Sequence, residues 1–344
     1  MRQRRLPFFI PHEGCPHRCS FCDQRAISGA QRPPTPQQIT AQCEALLPAP
    51  GAGSDFEIAF FGGSFTAIPR GQMIAFLEAA QPFLDAGRAA GIRISTRPDA
   101  IDPEILALLA RYRVRAVELG AQSMDDAALA QNGRGHTAQQ TRQAAQLLRE
   151  SGFSLGLQMM IGLPGEGEPV RAARETALAL AALQPDTVRI YPALVLRGTQ
   201  MEEWMRQGRY RPLTVEQAVA AAASLLALFE AKGIRVIRVG LQDDGALRQN
   251  LVAGPYHPAF RQLCEGALYR TALARALDGR SPGAYRVAVA PGRVSDAVGQ
   301  QRGNLAYFAA RGYRLKVVSC AALAGREIRL EEEHQRECEE TTCF

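Results

Sequence analysis

A parallel α/β sheet followed by a small α+β unit is the architecture this sequence predicts, and three observations predict it. Strand-like and helix-like runs alternate through about 190 residues, which argues for parallel strands joined by helical crossovers. Six such strand–helix units are too few for a complete eight-unit barrel. Past residue 240 the alternation gives way to a different pattern. The expected division is therefore a core over 1–240, an α+β unit over 241–330 and an acidic tail over 331–344.

Arg5 to Ile10 is the first strand, ending in a short apolar run, and it feeds a cysteine-rich loop. A helix over Thr35–Leu47 carries proline in its first turn and apolar positions at helical spacing. Strands follow at Asp55–Phe61, Gly91–Thr96, Arg115–Leu119, Phe153–Ile161 and Thr187–Tyr191, with helices at Gly71–Arg88, Ile101–Arg111, Thr137–Arg149 and Val170–Leu183 between them. An alanine-rich helix over Thr214–Lys232 leads to a further strand at Ile234–Val239. The last unit reads as a helix (Pro258–Leu277), a strand (Tyr285–Ala290), a helix (Leu305–Arg311) and two strands around Leu315–Val318 and Arg326–Leu330.

Composition narrows the class. Of 344 residues, 47% are hydrophobic and 22% charged, as in ordinary globular chains, and no apolar run reaches the length of a membrane span. The apolar run behind Arg2, Arg4 and Arg5 is too short for a signal peptide, so a cytoplasmic setting is expected. There the eight cysteines are thiols or metal ligands rather than disulfides. Cys43, Cys264 and Cys320 fall in helix or strand segments and read as small buried hydrophobes. Charge is uneven: residues 331–344 hold six glutamates and one arginine, leaving +11 on residues 1–330. With only Lys232 and Lys316 as lysines, that charge is almost all arginine, whose planar fork of donors suits phosphate. Arginine-favouring codons would give the same composition.

The chemistry centres on Cys15, Cys19 and Cys22, three thiols spaced C-x3-C-x2-C in one loop. An odd number disfavours a disulfide knot. Three thiolates with one position open suit a [4Fe–4S] cluster, and a zinc site with His12 or His17 as fourth ligand is the alternative. His334, Cys338 and Cys343 offer a second, weaker metal pattern in the acidic tail. Strand ends supply the other polar motifs: Gly62-Gly63-Ser64, Thr96-Arg97-Pro98-Asp99, Gln122-Ser123 and the Gly162–Glu166 turn. Ligands in parallel α/β folds sit beyond the carboxyl ends of the strands. His257, beside Tyr256, reads as a cap before a helix or as a proton-transfer group.

The cysteine spacing, with Phe21 before the last thiol, resembles the signature of the radical S-adenosylmethionine (SAM) enzymes. The resemblance implies a partial (β/α)6 TIM-like barrel and a [4Fe–4S] cluster on Cys15, Cys19 and Cys22. It also implies SAM on the open iron and cleavage of SAM to a 5′-deoxyadenosyl radical. It assigns Gly62 and Gly63 to the methionyl amino group, with Ser64 where the family has glutamate. Gln122, Arg134 and Gln158 go to the ribose and carboxylate, and Phe21 and Gly162 to the neighbourhood of the adenine. An electron donor such as flavodoxin or ferredoxin is implied, and no membrane.

Further motifs resemble, more narrowly, the radical domain of the Elongator catalytic subunit across residues 5–242. They are Ser95–Asp99, Asn132–Thr137, Gln158–Met160, Ile190–Thr199 and Trp204–Tyr210. That resemblance implies modification of a tRNA or other RNA base. The chain departs from the Elongator pattern in its compact cysteine loop and in lacking an aspartate within Met159–Gly162. About 100 dissimilar residues stand where the acetyltransferase domain follows, so the use of acetyl-CoA is left open. Two alternatives remain: an oxygen-independent coproporphyrinogen oxidase-like enzyme, or a non-catalytic module that holds a cluster or haem.

Overall fold

The computed structural model describes residues 4–50, 55–242 and 245–332. The candidate metal residues His334, Cys338 and Cys343 lie outside the described residues. Two compact units emerge: one runs to Ala221 and resumes over Leu228–Tyr256, and the other holds Ala222–Ala227 and restarts at His257.

The first unit is built on strands β1 (Arg4–Phe9), β2 (Phe56–Phe61), β3 (Gly91–Thr96), β4 (Val114–Gln122), β5 (Ser154–Ile161) and β6 (Thr187–Pro192). A short β7 (Val195–Leu196) follows, then β8 (Arg235–Val239) and β9 (Leu251–Ala253). The strand expected at 234–239 joins the sheet as its seventh member, in the order β1-β2-β3-β4-β5-β6-β8, with every pair parallel. The sheet curls into an open half-barrel. β7 and β9 form a separate antiparallel pair.

Strand alternation sorts the side chains. Phe8, Ile58, Phe60, Ile92 and Ile94 are buried on the helix-covered face, where Phe60 stacks on Phe65 and Phe76. The crossover helices begin as their sequences dictate. Thr35, Thr137 and Thr214 each form a capping box with a glutamine three residues on, and Asp102 caps the helix Pro103–Arg111.

The concave face is charged. Glu57 on β2 accepts from Arg93 on β3 at 2.8 and 3.1 Å and from Arg5 on β1 at 3.3 Å. Glu118 on β4 accepts from Arg189 on β6 at 2.7 and 3.0 Å, from Arg93 at 3.4 Å and from Gln158 on β5 at 3.3 Å. Six adjacent strands thus contribute one residue each to a single network. Each carboxylate is satisfied by more than one donor, as burial of charge requires. Above this layer Arg189 lies 5.2 Å from the centre of the Phe61 ring, and Phe61 tilts against the exposed Phe9.

The second unit holds a long helix (Phe260–Leu277) and strands β10 (Gly283–Val289), β11 (Tyr313–Ser319) and β12 (Ile328–Glu332) in the order β11-β10-β12. β11 runs parallel to β10 and β12 antiparallel. Tyr269, Leu273 and Leu277 pack on Tyr285, Val287 and Val289 to make its core. The Nδ1 atom of His257 accepts the Ala259 N–H at 3.0 Å, so this histidine braces the turn before the helix. Cys43 and Cys264 are buried as expected; Cys320 is not, because it stands one residue past β11, half-exposed. Among the described residues no helix is long and apolar enough to cross a membrane.

Candidate active site

The cysteine loop leaves β1 and folds back over the C-terminal ends of the strands. Its anchor is Gln24, whose side-chain oxygen accepts the backbone N–H groups of His12 and Gly63, both at 2.6 Å. The Gln24 N–H in turn donates to His12 Nε2 at 3.0 Å. His12, a candidate zinc ligand, is therefore engaged at Nε2 within the loop, while His17 packs against Gly135. The loop backbone lies so close to the glycine turn that a Cβ on Gly63 would stand 2.2 Å from the Glu13 carbonyl oxygen, at a φ of 55° that already favours glycine. Gly62 and Gly63 thus serve the packing of the cysteine loop whatever else they contact. Ser64 is fully buried, with its hydroxyl 2.9 Å from that of Thr96 and accepting the Arg97 N–H at 3.3 Å. Its side chain is committed to joining two strand ends.

On the far side of the loop, Ser20 bonds through both backbone and hydroxyl to Asn132, and its carbonyl accepts the Met201 N–H at 2.9 Å. Asn132 also donates to the Pro164 carbonyl at 2.7 Å, so the cysteine loop, the 132–137 segment and the Gly162 turn are tied together. Arg134 donates to the Cys19 Sγ at 3.3 Å and to the Gly120 carbonyl at 2.5 Å. Burial pushes the Cys22 thiol up to about 12 and raises that of Cys15, with the neighbouring cysteines adding to both effects. A positive ion or cluster that replaces the thiol protons reverses this penalty.

β4 slips by one residue against β5 between Gly120 and Gln122, a bulge that re-aims the strand end. Gln122 consequently takes a left-handed φ of 67°. Around it four buried polar atoms have no partner among the described residues: Gln122 Oε1, Arg134 Nε, Arg97 Nη1 and His136 Nδ1. Arg97 is otherwise held by Asp99 at 2.9 and 2.8 Å. Burial, with Arg134 and Arg97 nearby, holds His136 neutral, at about 4. Buried polar groups are rarely left unpaired, and a cluster of them at strand ends marks a place where a polar ligand completes the bonding. The His136 Nε2–H donates to the Ala121 carbonyl at 3.3 Å, so its bare Nδ1 and Gln122 Oε1 are free acceptors beside two free guanidinium donors, a set that suits a molecule carrying an amine, a carboxylate and hydroxyls. Sequence reasoning assigns Gln122 and Arg134 to the ligand but gives no role to Arg97 and His136, although both stand in motifs that it singles out.

The remaining predicted residues lie elsewhere in the same unit. Gln158 sits deeper, donating to Glu118. Phe21 packs on a cluster of Met160, Leu163, Val195, Met201 and Trp204. The Gly162 carbonyl accepts the Tyr210 hydroxyl at 2.8 Å. Within that turn Glu166 accepts the Ser123 hydroxyl at 3.0 Å and the Leu163 N–H at 3.2 Å, yet its burial pushes the carboxyl up to about 7.

Half-barrel, thiol loop and strand-end polar cluster define a class, and the chain belongs to it. The radical SAM superfamily model matches residues 9–175, and the radical SAM C-terminal domain model matches residues 185–270. It is thus a radical SAM enzyme, and its cofactors are a [4Fe–4S] cluster and SAM. Within the class, the chain is 30% identical over 226 residues to the uncharacterized protein MJ0486 of Methanocaldococcus jannaschii, covering 62% of this chain and 68% of that one. It is 29% identical over 245 residues to a tRNA uridine(34) acetyltransferase of the same organism, covering 60% of this chain and 45% of the relative. An archaeal Elp3 structure from Methanocaldococcus infernus superposes with a TM-score of 0.63 at 22% identity, covering 78% of this chain and 63% of that one. The chain thus spans less than half of the tRNA acetyltransferase it matches.

Proposed function

We propose that this enzyme modifies a base of transfer RNA, with Cys15, Cys19 and Cys22 holding the [4Fe–4S] cluster. In this reading Gln122, Arg134, Gln158 and the backbone of Gly62–Ser64 hold SAM, and Phe21 and Gly162 flank its adenine. The observation that carries the substrate assignment is the identity over 245 residues with a tRNA uridine(34) acetyltransferase. The unpartnered buried atoms at the ends of β3 and β4 support the cofactor assignment.

When bound, the cluster and SAM supply a one-electron cleavage of the sulfonium that yields a carbon radical for hydrogen abstraction or addition. The residues of the chain orient and insulate. Arg134 couples the two sites: one guanidinium N–H donates to the Cys19 sulfur, while Nε remains for an anionic or hydroxyl oxygen. Arg97, clamped by Asp99, presents a second fixed cation. Phe9 and Phe61 offer the concave face a tilted aromatic pair on which a splayed base stacks, and Arg189 beside Phe61 adds a cation there. A base stacked in a helix hides its carbon edges, so the substrate presents a single-stranded loop. The reducing electron comes from a donor such as flavodoxin or ferredoxin, in the cytoplasm.

The test is anaerobic incubation of the reconstituted protein with tRNA or with a porphyrinogen, followed by SAM cleavage and by nucleoside mass. tRNA-stimulated cleavage with a nucleoside of altered mass is expected. Stimulation by the porphyrinogen and none by tRNA overturns the reading.

A further inference from the structure

We infer that the second unit carries its own binding site for single-stranded RNA, centred on the loop Gly299–Arg302. Neither family model extends past residue 270, so this site is not inherited from the radical core. It is read from the unit itself.

Between the parallel strands β10 and β11 the chain makes a helix (Val294–Val298), a four-residue loop and a second helix (Gly303–Ala309). A helix–glycine loop–helix set on a three-stranded sheet is the arrangement by which K-homology modules clamp the backbone of about four nucleotides in a G-x-x-G loop. Here the loop reads Gly299-Gln300-Gln301-Arg302, with an arginine at the fourth place.

Its backbone is unusual. Gly299 has a φ of 77°, and Gln301 and Arg302 take left-handed φ values of 51° and 60° although neither is glycine. Such conformations persist only where the surroundings impose them, and they gather at ligand clamps. The surroundings do impose them. Asn304, at the start of the second helix, is buried and donates to the carbonyls of Ala297 on the first helix at 3.1 Å and of Gly266 on the long helix at 2.8 Å, so both ends of the loop are held. A Cβ on Gly299 would meet Asn304 at 3.0 Å, which leaves glycine as the residue that fits. Gln301, Arg302 and Gly303 are exposed, and the Arg302 guanidinium has no partner among the described residues. The fold thus holds a strained backbone rigidly and points a free cation outward.

The charge of the unit agrees. Residues 257–330 carry twelve arginines and lysines against four acidic residues, whereas residues 1–256 carry 27 against 24. Most of the chain's basic excess therefore belongs to 74 residues that the radical chemistry does not use. Such an excess steers a polyphosphate, and the exposed side chains of Gln301 and Arg302 seat it. The ligand chemistry is a single-stranded phosphodiester backbone; the choice of RNA over DNA rests on the tRNA reading above.

The experiment follows a fluorescein-labelled RNA octamer of mixed sequence by anisotropy with the full chain at 50 and 200 mM salt, beside the DNA octamer. RNA binding that weakens with salt is expected. Joint Gln300→Asp and Gln301→Asp changes, in exposed or half-exposed side chains, weaken it about tenfold or more and leave SAM cleavage unchanged. Arg302→Gly relaxes the left-handed backbone and removes the cation, so thermal stability rises while affinity falls about threefold and the log–log salt slope shrinks by about 0.7. A purely structural loop would give the gain in stability without the loss of affinity. Equal RNA affinity in wild type and both variants overturns the site, and equal binding of the DNA octamer overturns its assignment to RNA. If tRNA is left unmodified yet octamer binding depends on the loop, the substrate reading fails and the site stands. If tRNA is modified and the loop variants bind octamer like wild type, the site fails and the reading stands.

Discussion

His136 and Glu166 give the radical unit two opposed pH dependences that cancel in the wild-type protein. His136 is held at about 4 by burial beside Arg134 and Arg97, against 6.5 for the free side chain. Between those values the unfolded chain binds the proton and the folded one does not. The stability contributed by neutral His136 is therefore complete above pH 6.5 and is lost as pH falls through 4. Glu166 works the other way: burial lifts it from 4.5 to about 7, so the folded state holds the proton that the unfolded state releases. Its contribution is complete below 4.5 and is lost as pH rises through 7. Near pH 5.5 each slope is about 1.2 kcal/mol per pH unit, with opposite signs. His136→Asn removes the first, so that variant loses stability as pH rises from 5 to 6. Glu166→Gln removes the second, and that variant gains over the same step. The assay is urea unfolding followed by fluorescence of the single tryptophan, Trp204, which lies buried in the radical unit and reports on it alone. Two variants whose stabilities track the wild type across pH 5–6 would refute this account of both groups.

Three further outcomes follow from the site and its support. Anaerobic reconstitution gives about four irons per chain, measured with inorganic sulfide; alanine at Cys15, Cys19 or Cys22 abolishes it, and alanine at Cys338 or Cys343 does not. Arg134→Ala and Gln122→Ala each weaken SAM binding by about 1–3 kcal/mol in calorimetry with iron content unchanged. Arg93→Met leaves Glu57 and Glu118 each short of a buried donor, and the Trp204 unfolding transition loses about 3–5 kcal/mol.

The order and kind of the main strands and helices are legible in the sequence because each signal is local. Alternation, caps and glycine-ended strands identify β1 to β6 and their helices to within a few residues. What local signals cannot carry is partnership. β8 follows a long helix and reads as one more strand; only its pairing with β6 makes it the far edge of the half-barrel. Cys320 looks like a strand residue because Val317 and Val318 precede it, but β11 ends at Ser319. The pair of β7 and β9, two and three residues long, is too short to leave a pattern.

The site divides along the same line. The thiols stand in one short loop, so their spacing alone marks them as a set, and Arg134 stands in a motif long enough to be noticed. Gln122 points into the site because β4 bulges against β5, and register is a property of two strands rather than one. Arg97 and His136 join it because the turn after β3 and the 132–137 segment, one helix beyond β4, meet in space. The charged layer beneath is the extreme case. Arg5, Glu57, Arg93, Glu118, Gln158 and Arg189 are single polar residues on separate strands, each of which would pass in the sequence for a solvated position. The fold turns them to one face, where each carboxylate takes two or more donors and each of the three arginines finds a carboxylate. Buried charge on this scale is costly unless every member is paired. The network therefore constrains the relative register of six strands, and with it the positions of the strand ends that carry Gln122 and the segment bearing Arg134. A substitution in this layer, far in sequence from any thiol, should be felt at the SAM site through register alone.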